Sequence, residues 1–167
     1  MTATPRPAGH SEPPKAPTRT TEGAVTGAEW LLTAQPDPGS IRQQWAACGM
    51  ALFITGRNWD AVELPGFGLE SARALADLGV TGPVVHVPGA ETLWVLVPPG
   101  TAAWWLPVPG ITVYGSRWRV RSMLLPTPDR VASPGTYWIT PPDGTGRLTN
   151  PMALRSALAA PGAEAAR

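Results

Sequence analysis

Arg117, Arg119 and Arg121 occupy alternate positions in the run Ile111 to Pro128, ITVYGSRWRVRSMLLPTP. In an extended strand successive side chains face opposite ways, so the three guanidiniums project from one face and Trp118, Val120 and Ser122 from the other. Cations in a row repel one another, and such a ladder is tolerated where water, a row of carboxylates or a polyanion faces it. The chemistry on offer is phosphate binding, weighed against a strand face that is merely solvated.

The carboxylates offer less. Asp60 and Glu63 are the one acidic pair in a strand-like context, and a spacing of three sends them to opposite faces of a regular strand. Two-metal phosphoryl transfer needs at least two carboxylates about 4 Å from a shared ion pair, so this spacing argues against joint metal binding and favours solvated edge carboxylates. His86 stands alone in an apolar run and His10 lies far upstream, which leaves no local His/Cys cluster for a metal. Cys48 is expected on the core face of a helix with Ile41 and Trp45, away from any base, and no GxSxG or GxxxxGK[ST] motif occurs. Trp94, Trp104, Trp105, Trp118 and Trp138 could stack on bases, or fill a core as buried aromatics usually do. Trp104 and Trp105 are adjacent, so one of them is expected at the surface, where a protein partner could dock.

These residues are carried by a 167-residue chain, enough for one domain with a core. Hydrophobic residues make up 43% and charged residues only 15%, so the polar work falls on few side chains. The net charge of +1 means that basic character has to be local. A single cysteine cannot form an internal disulfide, and no leader-like or membrane-length apolar run occurs, so a cytoplasmic protein without a membrane partner is expected.

Residues 1–25, rich in Pro and Thr, predict a disordered arm, 26–160 a single domain, and 161–167 a flexible tail. Ser40 is the expected N-cap of a helix holding Ile41 and Trp45. MALFITG and WDAVELPG read as two short strands, or one bent hairpin about Gly56-Arg57-Asn58. LESARALADL predicts a helix stopped by Gly79, and PMALRSALAA one capped by Asn150 or Thr149 with Pro151 first. VVHVP, TLWVLVP, ITVYG, WRVRSMLLP and TYWITP predict strands in an antiparallel meander, and the fold class is α+β.

The order of these segments resembles the bifunctional DNA primase/polymerase N-terminal domain of the Prim-Pol, or archaeo-eukaryotic primase, superfamily, over roughly Trp30 to Leu158. LLTAQPDPGSIRQQW is similar to the family's opening step at Asp37, Ile41 and Trp45, and ALFITGRNWDAVELPG to the segment carrying Asp-x-Asp. TLWVLVPPG, GITVYG, RVRSMLLPTP and GTYWITPPDG follow in the family's order. The resemblance implies a mixed, largely antiparallel sheet flanked by helices, and metal-dependent nucleotidyl transfer in active members.

At the catalytic positions this chain departs from that pattern. The Asp-x-Asp step falls on Glu63-Leu64-Pro65, or, shifted, on Asp60-Ala61-Val62; the histidine falls on Thr92 and the later aspartate on Thr112. A catalytically degenerate primase/polymerase-like domain is the expectation, binding nucleic acid or nucleotide phosphates through Arg117, Arg119 and Arg121. No cofactor is expected, and Mg²⁺ or Mn²⁺ enters only if Asp60 and Glu63 retain activity. The alternative is a protein-interaction module docking through Trp104 and Trp105.

Overall fold

The computed structural model describes residues 25–115 and 122–159. The tail expected over 161–167 and all of the arm over 1–25 except Val25 lie outside the described residues, as do Arg117, Trp118, Arg119 and Arg121.

The chain opens with α1 (Gly27–Thr33), fixed by a capping box: the Glu29 amide donates to Thr26 Oγ1 at 3.2 Å and the Thr26 amide to Glu29 Oε2 at 2.8 Å. In α2 (Pro38–Cys48) the cap is Asp37, not Ser40; its Oδ1 accepts the Ser40 amide at 3.1 Å. Pro38 explains the difference, because its missing N–H and fixed φ suit the first helical position and leave the acceptor just before it as the cap. Gly49, at φ 72°, ends the helix in the left-handed conformation. Cys48 sits on that last turn and is exposed instead of sharing the core face, with Sγ donating toward the Gln44 and Met50 carbonyls.

The strands β1 (Met50–Ile54) and β2 (Asp60–Pro65) do not pair with each other. β1 pairs antiparallel with β6 (Ser122–Pro126), Leu52 facing Leu124, as a two-stranded ribbon. The Gln44 side chain accepts the Leu52 amide at 2.9 Å on the ribbon's open side. β2 lies inside a five-stranded sheet of order β5-β2-β4-β3-β7, with β3 Val84–Val87, β4 Thr92–Val97, β5 Thr112–Tyr114 and β7 Tyr137–Thr140. Every pair is antiparallel, but β2 sits between β4 and β5, so the later strands do not form a meander. The insertion follows from burial. β4 is buried at all six residues and β2 at four, so each needs a neighbour on both edges and a layer on both faces.

Those layers differ. One face, with Ala61, Leu96, Trp94, Val85 and Trp138, packs against Leu31, Ile41, Trp45, Phe53 and Leu125 of α1, α2 and the ribbon. Two indoles tie the ribbon down, Trp45 Nε1 donating to the Leu125 carbonyl and Trp138 Nε1 to that of Pro126, each at 3.1 Å. The other face, with Val62, Leu64, Leu93, Val95 and Val113, is covered by α3 (Leu69–Asp77) and α5 (Pro151–Ala159). Asn150 Oδ1 caps α5 by accepting the Met152 and Ala153 amides. Layers of helix and antiparallel sheet make this an α+β fold. No described helix is long and apolar enough to cross a membrane.

Candidate functional site

β2 sends Asp60 and Glu63 to opposite sides of the sheet. Glu63 faces the α1, α2 and ribbon side, half-buried, opposite Trp94 on β4 and Thr112 on β5. Tyr114 Oη donates to Glu63 Oε2 at 2.9 Å, and the Tyr114 ring leans on Trp94 with centroids 5.5 Å apart. Pro65 is opposite Thr92, whose hydroxyl donates to the Ala90 carbonyl at 2.9 Å. Glu63, Pro65, Thr92 and Thr112 therefore share one patch of one face, at one end of the central strands. Tyr114 was not singled out by the sequence; its period-2 relation to Thr112 marks the face, but only the pairing of β5 with β2 brings it to Glu63.

Asp60 is not a solvated edge carboxylate. It begins an inner strand, is 0% exposed, and points to the α3 and α5 side. Its Oδ2 accepts the Ala102 amide at 2.8 Å, at the start of the short helix α4 (Thr101–Trp104). Gly115 lies against the same carboxyl group: a Cβ there would come within 2.5 Å of Cγ and Oδ2. Burial raises the Asp60 pKa above the usual carboxylate value, and the Ala102, Gly100 and Thr101 amides offset this only in part. Asp60 is thus a buried acceptor that seats α4 beside β5.

The sign of its pH effect follows. A raised folded-state pKa means that the native protein holds this proton more tightly than the unfolded chain. The resulting stabilisation is complete below the ordinary carboxylate value and is lost as pH rises through the raised one. Asp60→Asn keeps an acceptor for Ala102 and removes the titration. Wild-type stability measured relative to this variant by urea unfolding is expected to rise as pH falls from 7 toward 4; a flat difference contradicts the assignment.

His86 lies across from Leu93 and Tyr137, on the α3 and α5 side, away from Glu63. It is 8% exposed, its Nδ1 is 3.1 Å from Tyr137 Oη, and burial lowers its pKa, opposed by Glu91. Of the tryptophans, Trp94 and Trp138 are buried, Trp105 is half-buried, and Trp104 stands 48% exposed beside exposed Leu106. The chain enters the segment bearing Arg117, Arg119 and Arg121 at Gly115, next to Asp60. A separate open depression of about 140 Å³ is lined by Thr81, Gly82, Thr140, Asp143 and Arg147.

No family model, curated protein or solved structure matches this chain. What the Glu63 patch can do is therefore set by its own residues. It presents one carboxylate, already bonded to a tyrosine, with two threonines and a proline around it. Among the described residues no group of three or more His, Cys, Asp or Glu side chains is placed to hold a metal ion. Threonine hydroxyls are neutral and weak ligands beside carboxylates, so this patch does not fit a pair of divalent cations.

Proposed function

We propose that this chain is a Prim-Pol-like domain that binds nucleic acid or nucleotide phosphates without catalysing phosphoryl transfer. The observation that carries the reading is the shared face of Glu63, Pro65, Thr92 and Thr112. These are the positions where the family resemblance expects an acidic pair, a histidine and a further aspartate. It also favours the Glu63-Leu64-Pro65 alignment over Asp60-Ala61-Val62, whose acidic residue faces the other side. Positions that belong together in an active relative lie together here, with one carboxylate where several are needed to offset two cations.

Phosphate binding is assigned to Arg117, Arg119 and Arg121 on the strength of their alternation in the sequence. Single-stranded DNA affinity is expected to fall steeply with salt, and replacing all three arginines with alanine should remove most of it. The slope of log K against log salt should flatten by about 2 units, as three phosphate contacts at about 0.7 each require. Fluorescence anisotropy across a salt series reads both, and wild-type affinity in the triple variant overturns the assignment. Titration with Mn²⁺ should give no heat and no thermal stabilisation; Mn²⁺-dependent primer extension by the wild type would show instead that catalysis survives.

A further inference from the structure

We draw no further inference here: the strongest candidate, the apolar outer face of the β1–β6 ribbon at exposed Leu52, Ile54 and Leu124, carries none because nothing in the structure shows what covers it.

Discussion

Trp138→Ala is expected to remove most of the stability of the fold. The side chain is 0% exposed, sits on β7 within the cluster that joins the sheet to α2 and the ribbon, and donates through Nε1 to the Pro126 carbonyl. Truncating a buried tryptophan costs about 3–5 kcal/mol in lost transfer energy and residual cavity. A buried carbonyl left without its donor adds about 1–3 kcal/mol. Against a typical total of about 5–15 kcal/mol, the variant should be partly unfolded in water or have its urea midpoint cut by half or more. Trp138→Phe keeps much of the ring volume, so it should cost about 1–3 kcal/mol, mainly for the hydrogen bond. Urea titration followed by far-ultraviolet circular dichroism separates the two. A Trp138→Ala midpoint close to wild type would mean that the ribbon is held by something other than this indole.

The second large effect is expected at Gly115. An added methyl would come within 2.5 Å of Cγ and Oδ2 and 2.6 Å of Oδ1 of Asp60. The carboxyl group cannot swing aside cheaply, because it is buried and Oδ2 holds the Ala102 amide. Gly115→Ala should therefore cost about 3 kcal/mol, at the upper end of overpacking. Asp60→Ala alone should cost about 2–3 kcal/mol, through the unpaired amide and the void. Combined, the two should cost less than their sum by about 1–3 kcal/mol, because the space one vacates is the space the other fills. Strict additivity in the double-mutant cycle would disprove the contact.

Local structure was largely legible in the sequence, and pairing was not. Asn150-Pro151 announces α5 and Gly79 the stop after α3, because caps act over a few residues. The partner of β1 is β6, some seventy residues on, and nothing local names it; Gly56-Arg57-Asn58 reads as a hairpin turn although the strands it separates join different sheets. The position of β2 between β4 and β5 was hidden for a related reason. Strands apolar on both faces carry no alternation to say which edge meets which neighbour. The burial of Asp60 is not legible in its local sequence, because its partners, at 102 and 115, reach it only through that pairing. Thr112 is marked by resemblance alone and Glu63 also by its place as a carboxylate in a strand-like run, and the sheet sets them side by side.

The Gln44 side chain, accepting the Leu52 amide, has a consequence beyond α2 itself. Among the described residues the ribbon has two strands, and its outer surface carries Leu52, Ile54 and Leu124, all exposed. An apolar strand with a free backbone edge is a template for intermolecular strand addition and aggregation. By occupying that donor, one carboxamide takes away one of the hydrogen bonds through which an added strand would pair.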